Sequence, residues 1–543
     1  MAVLQLVLLL LLSSVALGWI ARRFEFPYPI ALVAGGACLG LVPNLPQAQF
    51  DPQLILVAVL PPILYQAALL TSWTDFKAHI RAIGLLAIGL VTVTTLAVGA
   101  TLKFLVPDVP WAAAFVLGAI VSPPDAVAAT AILSRLNMPR RIVTILEGES
   151  LVNDASGLVL YKFAVAAVLT GTFSLVDAAS QFAVVSLVGI AVGIALAFFY
   201  IAVHKRLNDP FIEVLTVLTI PYAAYMGAEA LHVSGVLAVV AAGLVRGRYA
   251  PEIVSAGMRI MARPVWNVLV FLLNSLVFML IGLQMASVVG NLDRYSAVQL
   301  AVLGAAITAV AVLVRFVWVF PVSFLPRGLS GSPKQQEPPP STSELLIIGW
   351  CGMRGIVSLA AALALPLTLP GGAPFPHRDL IIFLTFVVIG ATLVGQGLTL
   401  TPLIRLLKVG SRWSLHDEQL RVRRAMSQAA LQAVDDTLAR EGVPPSWADA
   451  QKAGIAERIA LVASDGSDLT PKLELQNRLR HAAIVAERRE LIRLWRANEI
   501  GDEVMHHLME MLDYQEAPLP EAKPATGDYK TESAPLSAVD LGR

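Results

Sequence analysis

The chain has 543 residues, 56% of them hydrophobic and 15% charged, with a mean hydropathy of +0.70. A soluble domain is about 45–50% apolar and about 25% charged, so a chain that is soluble throughout is excluded. The net charge of +1 leaves no basic face for nucleic acid, and Cys38 and Cys351, both inside apolar runs, build no disulfide framework.

Apolar runs occupy residues 3–20, 28–45, 54–71, 82–106, 111–134, 143–170, 181–203, 211–230, 233–247, 264–289, 297–325, 344–369 and 378–407. At about 20 residues per crossing the pattern predicts an all-α polytopic membrane protein with about thirteen transmembrane helices. No Lys or Arg precedes Arg22, so the first run lacks the basic leader of a signal peptide and is read as a helix. Loops after odd-numbered runs collect Arg22, Arg23, Lys77, Arg81, Arg135, Arg140, Arg141, Lys205, Arg206, Arg246, Arg248, Arg259, Arg263, Arg327 and Lys334. The opposite side has Arg294 and Arg378, with Lys103 and Lys162 near two helix ends. Cytoplasmic loops are the basic ones, which puts the N-terminus outside, the C-terminus in the cytoplasm and the chain in the plasma membrane, among its lipids.

Residues 1–409 form the transmembrane domain in this reading. Residues 410–515 are rich in Arg, Glu, Gln and Ala and read as a helical cytoplasmic tail. Within it Ile484, Leu491, Ile492 and Trp495 recur at amphipathic spacing, with Glu487, Arg488 and Arg489 between them. The Pro/Ala/Glu/Lys mixture of 516–543 is expected to be disordered.

No phosphate loop, zinc helix or Cys/His cluster is present in the sequence. The chain therefore reads as no enzyme and needs no cofactor; transport runs on ion gradients. Attention falls on ionisable residues inside the apolar runs, which are expensive there and functional by default.

The fifth run contains Ser122-Pro123-Pro124-Asp125-Ala126-Val127. Each proline removes a backbone donor and clashes with the carbonyl four residues back, so the carbonyls of Ala119 and Ile120 are freed beside Asp125. Broken backbone at membrane depth is tolerated where it is buried in protein or lines a wet cavity, and such oxygens beside a carboxylate suit a small hard cation. In the sixth run, Glu147-Gly148-Glu149-Ser150-Leu151-Val152-Asn153-Asp154, Ser150 and Asp154 share one helical face and Glu149 and Asn153 another. Glu149 and Asp154 point roughly 140° apart, so one can face the ion path and the other a basic partner. Arg315 in the eleventh run and Arg354 in the twelfth supply candidate partners. Gly352 and Gly355 weaken the helix around Arg354, which predicts a second interruption.

At about 1.5 Å per residue, Asp125 lies roughly 15 Å from Arg135 and Asp154 roughly 20 Å from Arg141. Arg315 lies roughly 18 Å from Arg327, and Arg354 roughly 15 Å from Glu344. All four share the midplane of a core about 30 Å thick. The fifth and twelfth runs cross in opposite directions, and two interrupted, opposed helices meeting at mid-depth are the signature of inverted-repeat secondary transporters.

Leu60-Pro61-Pro62-Ile63-Leu64, Ser122–Val127, Gly148–Asp154 and Gly352-Met353-Arg354-Gly355 together resemble the bacterial branch of the sodium/proton exchanger family. The resemblance covers 1–410 and leaves the tail unexplained. It implies a homodimer in which a mobile core moves against a dimerising scaffold, with Asp154 exchanging H⁺ for a cation. Asp125 and Ser150 would help to bind that cation beside Asn153, making Asp125 and Asp154 its carboxylate ligands. Glu149 would pair with an arginine, Arg354 being favoured because it sits in a matching motif, with Arg315 carried as well. The Asn153-Asp154 pair looks like the electroneutral form. Where many relatives have Thr-Asp-Pro, this chain has Pro124-Asp125-Ala126, which opens the question of ion preference.

The expected mechanism is competition at one carboxylate, Asp154, which away from water holds either a proton or a cation, Na⁺ foremost with Li⁺ and K⁺ as alternatives. Competing readings are a cation channel or Na⁺-coupled solute symporter, and an aspartyl dyad of Asp125 and Asp154, for which the Gly-x-Gly-Asp context is missing.

Overall fold

The computed structural model describes residues 2–24, 28–40, 52–133, 138–171, 175–207, 209–254, 256–289, 295–324, 340–370, 372–409, 415–441, 445–449, 470–497 and 502–516, with isolated positions between them. Residues 1–412 form one compact unit and 413–543 another. Among the described residues there is no β-strand, only an isolated bridge between Thr368 and Pro374.

Each apolar run contains helix among its described residues. The first runs become α1 (Ala2–Arg23), α2 (Tyr28–Gly40), α3 (Pro52–Leu70) and the short α4 (Trp73–Ala78). The fourth crossing is α5 (Ile80–Gly84) and α6 (Val91–Leu105), joined by a wider π-type turn over Leu85–Leu90. That turn loosens the backbone ladder, and side chains take up two of its carbonyls: the Trp318 indole N–H donates to Leu85 O at 3.0 Å, and the Ser156 hydroxyl donates to Ala87 O. The fifth crossing is broken, as its prolines require, into α7 (Trp111–Val121) and α8 (Ala126–Leu133). Then follow α9 (Arg140–Thr170), α10 (Leu175–His204), α11 (Pro210–Ala230), α12 (Gly235–Ile253), α13 (Ala256–Val289) and α14 (Ala297–Phe324). The twelfth crossing is also broken, into α15 (Thr342–Trp350) and α16 (Ile356–Leu363), and α17 (Arg378–Leu407) ends the unit.

Seven of the described helical stretches are long and apolar enough to cross a membrane, and shorter apolar helices accompany them. Several helices outrun their apolar runs. α9 starts at Arg140, and α13 starts at Ala256, a full turn and more before the apolar stretch, because polar turns can extend a helix into water. α12 likewise continues through Arg246. Arg246 is therefore no loop cation; it is 1% exposed. Arg135, Arg294, Arg327 and Lys334, counted for loop charge, lie outside the described residues.

Buried apolar side chains gather into two clusters in this unit. One joins α6, α7, α9 and α13–α17 through residues such as Leu102, Val116, Ile120, Ile307, Leu384 and Ile389. The other joins α3 and α10–α12 through Leu64, Tyr65, Val217, Ile220 and Val239, and Leu158 on α9 packs against both. Backbones approach closely between α2 and α13, as they also do between α10 and α12, where a Cβ on Gly193 would stand 2.1 Å from Ala238 O. A Cβ on Gly282 would stand 2.1 Å from Val33 O, and one on Gly36 would stand 2.2 Å from Met279 O. Small residues are what let helices pack this closely where no water drives them together.

In the second unit, α18 (Leu415–Glu441), α19 (Thr470–Arg496) and α20 (Asp502–Glu516) are helical. Ile484 and Leu491 on α19 bury against Leu512 on α20, and Arg488 pairs with Glu516 at 2.7 Å. The Trp495 side chain and residues 517–543 lie outside the described set.

A Gly282→Ala variant must separate two backbones, an overpacking cost of about 1–3 kcal/mol. It should lower the melting temperature of the detergent-solubilised protein. Gly390→Ala, where nothing stands within 4 Å of a Cβ, should leave it unchanged.

Candidate functional site: two helix breaks around buried carboxylates

Proline chemistry sets the first break. Without the N–H groups of Pro123 and Pro124, α7 cannot continue its ladder, and the Ser122 hydroxyl donates to the freed Ala119 carbonyl at 3.2 Å. The Asp125 N–H, which would have closed a turn on Val121 O, donates instead to Met353 O at 2.6 Å. Met353 belongs to the second break, so the two interruptions are joined backbone to backbone.

Arg354 completes the join. It is 1% exposed, its Nε donates to Val121 O at 2.9 Å, its Nη2 to Ala311 O at 3.2 Å, and its Nη1 to Gly352 O. Its own backbone N–H donates to Thr392 Oγ1 on α17 at 3.1 Å. In a bilayer every backbone polar group must be satisfied within the protein, and this guanidinium satisfies three carbonyls at once. The partner favoured for Glu149 on sequence grounds is thus engaged elsewhere. Arg354 lies in the non-helical Cys351–Gly355 segment, whose path aims it at the end of α7.

Glu149 pairs with Arg315 instead. Arg315 Nη1 donates to Glu149 Oε1 at 2.5 Å and Nη2 to Oε2 at 2.8 Å, while Nε donates to Ile348 O at 3.0 Å. Both side chains are 1% exposed. This two-pronged geometry is the strong form of the contact, and it neutralises one of the two buried carboxylates of α9.

The other, Asp154, is buried at 7% exposure, and among the described residues no Lys, Arg or His forms an ion pair with it. Asp125, half-buried at the first break, lies within electrostatic range. A Cβ on Gly355 would fall 1.7 Å from Asp125 Oδ2, so only glycine lets the second break pass this carboxyl. Asn153, fully buried, donates from Nδ2 to Pro124 O at 2.7 Å; its Oδ1 is buried without a partner. Ser150 sits one turn before Asp154 on the same face of α9 and is half-buried. The structure therefore brings Asp125, Asn153 and Asp154 to the crossing, with Glu149 and Arg315 as a neutral pair beside it.

One expectation changes emphasis. The carbonyls of Ala119, Val121 and Pro124 already accept protein hydrogen bonds, whereas Asn153 Oδ1 remains without one. Among the described residues no group of three or more His, Cys, Asp or Glu converges as a resident metal site. The sequence reading missed Thr392, whose only signal was a hydroxyl in an apolar run. It also missed a buried cluster of His204, Glu213 and Arg246 away from the crossing, three ionisable residues at the edges of apolar runs.

Residues 8–406 match the family model described as sodium/hydrogen exchanger, transmembrane. An uncharacterized Na⁺/H⁺ exchanger of Mycobacterium bovis is 33% identical over 94% of this chain and 96% of its own length. A sodium, potassium, lithium and rubidium/H⁺ antiporter of Bacillus pumilus is 36% identical over 72% of this chain and 60% of its own. The solved sodium proton antiporter MjNhaP1 of Methanocaldococcus jannaschii has a similar fold, with a TM-score of 0.59, 19% identity, and coverage of 75% of this chain and 100% of that one.

Breaking a buried ion pair by removing one partner costs about 3–5 kcal/mol, whereas replacing both partners is often neutral. Glu149→Gln and Arg315→Met should each sharply lower the melting temperature. The double variant should recover most of that loss in the same thermal-shift measurement.

Proposed function

The chain belongs to the sodium/hydrogen exchanger family, whose members are transporters and not enzymes, and on that premise we propose that it exchanges a monovalent cation for H⁺ by competition at Asp154. The observation that carries this reading is the unequal treatment of two carboxylates five residues apart: Arg315 compensates Glu149, and no basic side chain among the described residues compensates Asp154. A bare charge there is too costly, so Asp154 crosses the membrane either protonated or bound to a cation. The two occupants exclude each other, and each makes the site neutral.

Asp125 and the Oδ1 of Asn153 supply further oxygen ligands, with Ser150 on the Asp154 face. Oxygen-only ligation suits a hard ion, Na⁺ first and Li⁺ or K⁺ after it. Asn153 is an amide tied to Pro124 O and carries no proton of exchange, so one cation moves per proton and the cycle is electroneutral. The joined breaks of the fifth and twelfth crossings present the site alternately to each side. The protein works in the plasma membrane as a homodimer, N-terminus outside and tail in the cytoplasm; in a cell with an inward proton gradient H⁺ enters as the cation leaves.

Everted vesicles with a preset pH gradient test the reading. Added Na⁺, Li⁺ or K⁺ should dissipate the gradient with wild-type protein and leave it intact with Asp154→Asn. Cation-dependent proton movement at the wild-type rate in that variant removes Asp154 from the mechanism.

A further inference from the structure

A second set of buried ionisable groups lies away from the crossing, where α10 ends and α11 begins. His204 is 2% exposed, Glu213 2% and Arg246 1%. Each comes from a different helix, α10, α11 and α12, and the exchange cycle above uses none of them. His204 Nε2 stands 3.2 Å from Glu213 Oε2, and Arg246 Nη2 stands 3.4 Å from His204 Nδ1.

Hydrogen-bond chemistry fixes the protonation state of this arrangement. A guanidinium only donates, so the Nδ1 facing Arg246 must be the unprotonated nitrogen and the single imidazole proton sits on Nε2, which lies 3.2 Å from Glu213 Oε2 but makes no hydrogen bond in this state. A second proton would have to go on Nδ1, where it meets the donors of Arg246. Proton uptake therefore repels Arg246 and strengthens the hold on Glu213, exchanging a contact with α12 for one with α11. Arg246 has somewhere to go: its Nη1 and the Tyr65 hydroxyl on α3 are both buried without a partner, and the two groups lie within electrostatic range.

Among the described residues, Arg246 and Glu213 are the charges that act on His204. α10 packs against α11 and α12. α11 offers Glu213 and, at its exposed cap, Asp209; α12 offers Arg246 and the exposed Arg248 and Tyr249; α10 itself adds exposed Lys205 and Arg206, and Tyr200. α12 also meets the backbone of α3, where a Cβ on Gly247 would stand 2.5 Å from Leu69 O. α3 in turn packs on α9 and α16, the helix of Asp154 and the half-helix after the second break.

We propose that His204, clamped between Glu213 and Arg246, is a second proton-binding site, separate from the transported proton, that sets how exchange responds to pH on the side of the α10–α11 turn. The proposal rests on the exchange reading and on the orientation taken from loop charge, which makes that side cytoplasmic. Histidine is the side chain whose charge changes across the physiological range.

The test measures exchange in proteoliposomes at saturating Na⁺ while pH is varied on one side at a time. Wild-type rate should change several-fold with pH on the α10–α11 side beyond the change caused by pH on the other side. His204→Gln, which bridges its neighbours without titrating, should lose that extra response while keeping its alkaline rate. Glu213→Gln removes the anion that favours His204 protonation and should move the midpoint about 1 pH unit to the acid side. Arg246→Gln removes the opposing cation and should move it to the alkaline side. A wild-type pH profile in the His204 variant, or an unmoved midpoint in the Glu213 variant, overturns the proposal. If the variants fail to fold, hydrogen exchange at imidazole C2 in the wild-type protein, read by mass spectrometry, decides. His204 must titrate between about pH 5 and about pH 8 with the midpoint of the rate, and a His204 that stays neutral throughout overturns the proposal. Wild-type protein without exchange at any pH sinks the exchange reading instead, and the C2 measurement still decides the fate of His204.

Discussion

The arrangement depends on charge compensation in a medium that tolerates no bare ion. α9 carries two buried carboxylates little more than a turn apart, and the protein treats them differently. Glu149 is closed into a bidentate pair with Arg315, and Ile348 O takes that arginine's remaining Nε–H. Asp154 receives no basic partner among the described residues. A buried, permanently matched pair gives rigidity, while an unmatched acid needs a mobile cation or a proton. The first is scaffolding for the second.

Backbone accounting explains the rest of the site. Two interrupted helices place several peptide groups outside any ladder, at a depth where water is scarce. The answer is mutual: the Asp125 N–H goes to Met353 O, Arg354 gathers the carbonyls of Val121, Gly352 and Ala311, and Asn153 holds Pro124 O. Arg354 thus acts as a cap for broken backbone, and its positive charge stays close to the crossing without engaging Asp154. Gly355 is required because Asp125 occupies the space a side chain would need.

Much of this was legible in the sequence where the cause is local. Pro123-Pro124 before Asp125 had to break a helix, and Gly352 and Gly355 around Arg354 had to weaken one; both breaks are present. The spacing of Glu149 and Asp154 foretold that they would face different surroundings. Which of the two candidate arginines pairs with Glu149 was not legible, because the choice depends on the path of the five-residue non-helical segment that carries Arg354 away, which spacing along a helix does not report. Arg246 was misread as a loop cation for a related reason: a charge at the edge of an apolar run marks the end of apolarity, not the end of the helix. Its burial depends on His204 and Glu213 arriving from two other helices, a tertiary fact. In the tail, the amphipathic spacing of Ile484 and Leu491 did mark the buried face of α19.

Competition for one carboxylate is tested most directly by proton counting on binding. Isothermal titration of Na⁺ or Li⁺ into purified protein, in buffers of different ionisation enthalpy, measures how many protons leave as one cation enters. At a pH where Asp154 holds its proton, the account predicts that about one proton is released per cation, since a ligand must be deprotonated to bind metal. Cation binding that releases no proton at any pH would contradict it.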